Sequence, residues 1–81
     1  RAKRRAAAVA STLAGADLSA IEVPTLLLSG DQDRVVPTSV ALSMATTIPD
    51  CRTLVLPGVG HAPAMQAPER VAAALSGFLL S

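Results

Sequence analysis

Hydrophobic residues along the chain form two short continuous runs and three stretches with helical spacing. The runs, at 23–30 and 52–57, are uninterrupted rather than alternating, which favours parallel strands buried on both faces. The helical spacing predicts helices over 1–16, 38–48 and 68–80. The order helix, strand, helix, strand, helix contains a βαβ unit, so the pattern predicts an α/β fold.

Local signals set the ends of these predicted helices. Gly15 is a stop signal for the first helix, Thr38 is placed to cap the second, and Pro49 ends it. Pro68 suits the first turn of the last helix, and Glu69 favours the positive end of its dipole. Two strands do not make a stable sheet that is covered on both faces, so we expect further strands upstream in a larger protein.

Composition points the same way. The chain has 81 residues, of which 51% are hydrophobic, and a chain this short buries only a modest fraction of its surface. This much apolar surface is typical of a piece that more protein covers. The chain begins with Arg1 rather than Met, so we expect the true N-terminus to lie elsewhere. No apolar run approaches the roughly 18 residues of a membrane span.

Charge and cysteine content argue against nucleic-acid binding, a disulfide and a cysteine nucleophile. The net charge is +1, and the basic run RAKRR at the start has no aromatic stacking residues or second basic stripe beside it. A solvated helix end is therefore favoured over a nucleic-acid or targeting patch. Cys51 is the single cysteine, so no internal disulfide forms, and an inert thiol is favoured over a nucleophile. This count is compatible with a reducing compartment, and we expect a cytoplasmic location.

Chemistry-bearing residues follow both predicted strands. Asp31 and Asp33 come directly after the first run, and His61 follows the second. In a parallel βαβ unit the loops after both strands leave the same edge of the sheet, and neighbouring strands lie about 5 Å apart. The topology therefore predicts that an aspartate meets His61 at this edge, which is where open α/β sheets bind ligands.

Two motifs in this order resemble the C-terminal part of an α/β-hydrolase fold protein. In that family a strand ends in Gly-x-x-Asp, often with a proline four residues later. The next strand leads to a Gly-x-Gly-His loop and a Pro-Glu helix start. The matching residues are Gly30, Asp33, Pro37, Gly58, Gly60, His61, Pro68 and Glu69. The resemblance covers about residues 17 to 80 and implies that 1–81 is the C-terminal βαβα portion of one mostly parallel α/β-hydrolase domain, preceded by a helix.

The resemblance implies catalytic roles. Asp33 would be the acid and His61 the general base of a nucleophile–His–acid triad. The full-length protein would hydrolyse an ester, lactone or related acyl bond of a small molecule, without a metal or organic cofactor. The family spacing selects Asp33 over Asp31, which we interpret as a turn former or solvated neighbour. Gln66 stands where the family often has Glu, a variation to which we assign no consequence.

The nucleophile is missing from these residues, and this leaves alternatives open. The chain contains no G-x-S-x-G motif, so we expect the nucleophile upstream and an inactive isolated chain. Cofactor-free C–C bond hydrolysis or perhydrolysis on the same triad is a second enzymatic interpretation. A non-catalytic α/β binding module is a third, and an upstream G-x-S-x-G motif would distinguish the enzymes from the module.

Overall fold

The computed structural model describes residues 5–13 and 15–80 and contains one parallel sheet in the order β1-β2-β3. Its strands are β1 (Ala6–Val9), β2 (Thr25–Gly30) and β3 (Cys51–Leu56). The helices are α1 (Ala10–Leu13), α2 (Thr38–Thr47), α3 (Pro63–Gln66) and α4 (Pro68–Leu80), with a 3₁₀ turn at Leu18–Ala20. The α/β class predicted from the hydrophobic pattern is confirmed.

The central strand β2 organises the core. All six of its residues are buried, because strands pair with it on both sides and helices cover both of its faces. On one face Leu26 and Leu28 pack with buried residues of α4. On the other face Leu27, which is 0% exposed, packs with Ala41 of α2. The continuous apolar run thus serves two cores at once, as expected for a parallel strand.

The N-terminal segment departs from its predicted structure. The helix predicted over 1–16 is wrong at 6–9, where β1 pairs in parallel with β2 in the register Ala6 opposite Thr25. Residues 1–4 and 14 lie outside the described residues. Strand pairing gives β2 hydrogen-bond partners on its second side, and the Ala6 N–H donates to Pro24 O at 2.9 Å. This tertiary gain outweighs the local helix preference of the segment, although alanine is the strongest helix former.

The start of α2 also differs from the prediction. Pro37, not Thr38, holds the N-cap position, and its carbonyl accepts the N–H groups of Val40 and Ala41 at 2.9 and 3.1 Å. Thr38 is already the first helical residue, so its hydroxyl is past the position from which a side chain caps the helix. Its Oγ1 is buried without a hydrogen-bond partner among the described residues.

The described helices are all too short or too polar to cross a membrane.

Candidate active site

The loops that follow β2 and β3 stay paired beyond the strands. The Asp31 N–H donates to Leu56 O at 3.1 Å, and the Gln32 N–H donates to Val59 O at 2.9 Å. The approach is so close at Gly30 that a Cβ placed there would lie 2.5 Å from Gly60 O and nearer still to Val59 O. Only a residue without a side chain fits this crossing, which brings the two loops together.

Asp33 is a buried carboxylate held by its own loop. Its Oδ1 accepts the backbone N–H groups of Val35 and Val36 at 2.8 and 2.9 Å. Burial raises the pKa of this carboxyl, but the bonds from Val36 and Val35, together with nearby His61, outweigh it and hold the pKa below its ordinary value of 3.8. Asp33 is therefore ionised at neutral pH.

His61 lies against this carboxylate. Its Nδ1 is 3.4 Å from Asp33 Oδ1, with 55% of the histidine side chain exposed against 2% of the aspartate side chain. The separation is longer than an ordinary N–H···O bond, so the two groups face each other without a short hydrogen bond. With Nδ1 beside the acid, Nε2 is the nitrogen left for a reacting group.

Four successive residues before His61 are bonded to other parts of the fold. Two carbonyls accept hydrogen bonds: Pro57 O from Arg70 Nη1 at 2.8 Å, and Val59 O from Gln32 N at 2.9 Å. Two amides donate them: Gly58 N to Asp31 Oδ1 at 2.8 Å, and Gly60 N to Gln66 Oε1 at 2.7 Å. Val59 is also 1% exposed and belongs to the α4-side core. The histidine thus follows a stretch of main chain that is fixed from several sides.

The structure places the predicted site residues unequally. It brings Asp33 and His61 together, whereas the Asp31 carboxylate contacts the Gly58 amide. The interpretation of Asp31 as a turn former or solvated neighbour is therefore incomplete. The Gln66 amide oxygen accepts the Gly60 N–H, a bond that the family's Glu could also make, so the exchange of Glu for Gln is still expected to have no consequence. The sequence held one signal for the role of Gln66: the family often has Glu at this position, and Glu and Gln both offer a side-chain oxygen that accepts a hydrogen bond. No sequence pattern links Asp31 to an amide 27 positions away.

Other reactive groups stand apart from this pair. Cys51 begins β3, at the end of the strand opposite the Asp33–His61 edge. Partial burial raises the pKa of its thiol, which disfavours the thiolate at neutral pH. Within residues 5–13 and 15–80, no three His, Cys, Asp or Glu side chains are grouped to hold a metal ion.

A parallel sheet flanked by helices, with a carboxylate and a histidine at its carboxyl edge, agrees with the C-terminal part of the α/β-hydrolase fold, in which the acid and the histidine follow the nucleophile along the chain. The sequence model of the alpha/beta hydrolase family matches residues 1–74. The chain belongs to this family.

Named relatives span several activities. The chain is 38% identical over 66 residues to a non-heme haloperoxidase of Rhodococcus erythropolis, covering 80% of this chain and 24% of that protein. It is 34% identical over 65 residues to human monoacylglycerol lipase ABHD6, covering 80% and 19%. A thermophilic esterase from Thermogutta terrifontis superposes with a TM-score of 0.73 at 42% identity, covering 76% and 23%. The chain therefore spans about a quarter or less of the length of these relatives.

Proposed function

We propose that the complete polypeptide containing this chain hydrolyses acyl esters or lactones of small molecules, with Asp33 as the acid and His61 as the general base of a nucleophile–His–acid triad. The observation that carries the proposal is the buried, ionised carboxylate of Asp33 lying 3.4 Å from His61 Nδ1. Membership of the alpha/beta hydrolase family supports the same reaction class.

The arrangement suits base catalysis. Asp33 fixes the tautomer that carries a proton on Nδ1, so Nε2 can accept the proton of a serine hydroxyl as its oxygen attacks the substrate carbonyl. The imidazolium then returns that proton to the departing alcohol, leaving an acyl-enzyme. In the second step Nε2 takes a proton from water, the water oxygen attacks the acyl carbon, and the serine oxygen leaves with that proton as the carboxylic acid is released. The serine belongs to residues outside these 81, which contain no G-x-S-x-G motif.

Exposed apolar residues close to the pair along the chain support a substrate with an apolar part. Val35, two residues after the acid, is 70% exposed, and Met65, four residues after the histidine, is 85% exposed. We expect these side chains to line the substrate site, because such sites are mostly apolar with a few polar groups. The names of two relatives, an esterase and a monoacylglycerol lipase, agree with ester substrates of this kind.

A second candidate function is perhydrolysis, supported by the haloperoxidase relative. Here hydrogen peroxide replaces water in the second step. Its oxygen attacks the acyl carbon, His61 takes its proton, and the serine oxygen leaves with a proton, so the product is a peracid. Measuring peracid formation alongside ester hydrolysis, with and without hydrogen peroxide, separates the two functions.

The test is steady-state kinetics on nitrophenyl esters of increasing chain length, using the protein encoded by the complete reading frame. His61→Ala should abolish turnover, and Asp33→Asn should lower kcat by about 10⁴, or roughly 5 kcal/mol of transition-state stabilisation. The 81-residue chain alone should show no turnover above a boiled control, since it lacks the nucleophile.

Asp17→Asn is the matched control. Asp17 is an exposed aspartate before β2 whose Oδ1 accepts from Ser19 Oγ at 2.7 Å, so its variant should keep normal kinetics. Normal turnover in His61→Ala would overturn the proposal. So would a kcat for Asp33→Asn that equals that of the control.

A further inference from the structure

We infer that Asp31 and Gln66 are positioning residues for His61, acting as oxygen acceptors for the main chain that carries it. The inference rests on the proposed function, because a positioned histidine matters only if His61 is the base. Both side chains are exposed, and both bind an amide of the loop after β3.

The two bonds flank a single buried residue. Asp31 Oδ1 accepts the Gly58 N–H at 2.8 Å, and Gln66 Oε1 accepts the Gly60 N–H at 2.7 Å. Between these glycines Val59 is 1% exposed, and its carbonyl accepts the Gln32 N–H. The bonds therefore fix the backbone on both sides of an anchored side chain, and the second bond ends at the residue directly before His61.

His61 needs this support because its own side chain contributes little packing. More than half of the imidazole side chain is exposed, and the Asp33 Oδ1 atom that it faces is 3.4 Å away. The position of the ring therefore depends on the backbone that carries it. Displacing a reacting group by about 1 Å can cost 10²-fold in rate, so release of this loop should reduce the chemical step.

The chemistry of these bonds gives them a distinctive mutational pattern. The donors are main-chain N–H groups, which any carbonyl or carboxylate oxygen can satisfy. Exchange between carboxylate and amide should therefore be tolerated at Asp31 and Gln66. The same exchange at Asp33 should not be tolerated, since there the negative charge stabilises the imidazolium.

The test uses four variants of the protein from the complete reading frame. Asp31→Ala and Gln66→Leu remove the acceptors and should each lower kcat by about 10- to 100-fold. KM should stay within about twofold, because neither side chain is expected to hold substrate. Asp31→Asn and Gln66→Glu keep an acceptor oxygen and should recover kcat to within about threefold of the parent.

Controls separate positioning from loss of fold. Asp17→Ala removes an exposed carboxylate with a local partner and should leave kcat unchanged. Thermal melts of every variant establish that the assay is made on folded protein. Should Asp31→Ala melt below the assay temperature, Gln66→Leu, at an exposed site on α3, carries the same test.

The outcomes are distinguishable. Normal kcat in both Asp31→Ala and Gln66→Leu, with His61→Ala inactive, would overturn the positioning role and leave the proposed function intact. An Asp31→Asn variant as impaired as Asp31→Ala would also overturn it, because charge rather than an acceptor oxygen would then be required. Turnover that survives in His61→Ala would overturn both inferences.

Discussion

The two loops at the carboxyl edge of the sheet hold their functional side chains in different ways. The loop after β2 supports Asp33 from within, through backbone N–H groups two and three residues further along the chain. The loop after β3 supports His61 from outside, through bonds to Asp31, Gln32 and Gln66 and to Arg70 of α4. The hydrogen bonds that fix the first loop are local, whereas those that fix the second come from other parts of the fold.

Because of this difference, the position of Asp33 should depend on fewer parts of the fold than the position of His61. Asp33 should keep its place whenever its own short loop forms, because its partners are local. His61 should keep its place only when β2, α3 and α4 are all in position. Asp33 is thus held in place by its sequence neighbours and His61 by tertiary structure, and the following predictions test that contrast.

Gly30→Ala should have the largest effect, because it breaks the contact that both loops share. The added Cβ would meet the main-chain carbonyls of Val59 and Gly60, which cannot rotate away. We expect a loss of about 3 kcal/mol in the free energy of unfolding, at the upper end for overpacking. Chemical denaturation of the protein from the complete reading frame measures it.

Gly77→Ala is the control for this variant. Gly77 lies in α4, and a Cβ there would meet nothing within 4 Å. Alanine should stabilise the helix by up to about 1 kcal/mol. Equal stabilities for the two alanine variants would contradict the close approach of the Val59 and Gly60 carbonyls to Gly30.

Truncating the two aspartates should give unequal losses of stability. Asp33→Ala leaves the N–H groups of Val35 and Val36 without their acceptor, the latter in a buried bond, and should cost about 2 kcal/mol. Asp31→Ala frees the Gly58 amide in an exposed bond that water can replace, and should cost about 0.5 kcal/mol. Urea denaturation ranks them, and a larger cost for Asp31→Ala would contradict the contrast between the loops.

Gly58→Ala should act on the loop that is held from outside. Gly58 has φ +71°, a left-handed conformation that costs a residue with a Cβ about 1 kcal/mol. Gly15, with φ +84°, lies far along the chain from His61 and provides a control of similar backbone cost. Both alanine variants should lose similar stability, but only Gly58→Ala should also lower kcat. Equal kcat values would show that the loop conformation at Gly58 does not affect the histidine.

The smallest expected effect is a pH dependence of stability. The pKa of Asp33 in the folded chain lies below its ordinary value of 3.8, so the unfolded chain binds more protons in this range. The stabilisation is fully present above pH 3.8 and is lost as the pH falls through the lowered pKa. Asp33→Asn should flatten this acid limb of a pH series of urea melts. An unchanged limb would indicate that other carboxylates produce it.

Sequence patterns predicted the fold where local and tertiary preferences agree. The apolar run that becomes β2 is buried on both faces, and helical spacing with Pro68 and Glu69 at the start indicated α4. The sequence patterns were wrong at 6–9, where they predicted a helix and the structure has a strand that pairs with β2. Local preference favours the helix there, because alanine is the strongest helix former and is depleted in strands, whereas the strand partner that decides the outcome is distant in sequence.

The site was predictable to the same extent. Parallel topology was enough to expect an aspartate near His61, because the loops after neighbouring strands share an edge. The family spacing, rather than physical reasoning, selected Asp33 over Asp31. The hydrogen bonds from the loop amides to Asp31 and Gln66 could not be predicted from the sequence. Their donors are backbone N–H groups, which every residue except proline possesses.

Hydrogen exchange at two amides can report on the anchored loop before His61. The amides of Gly58 and Gly60 belong to no helix or strand, yet each is bonded to a side-chain oxygen. Their hydrogen-exchange rates therefore measure how often this segment opens, separately from the breathing of the sheet. Exchange that slows at both glycines on adding a ligand would show that the segment before His61 opens less often when the ligand is bound.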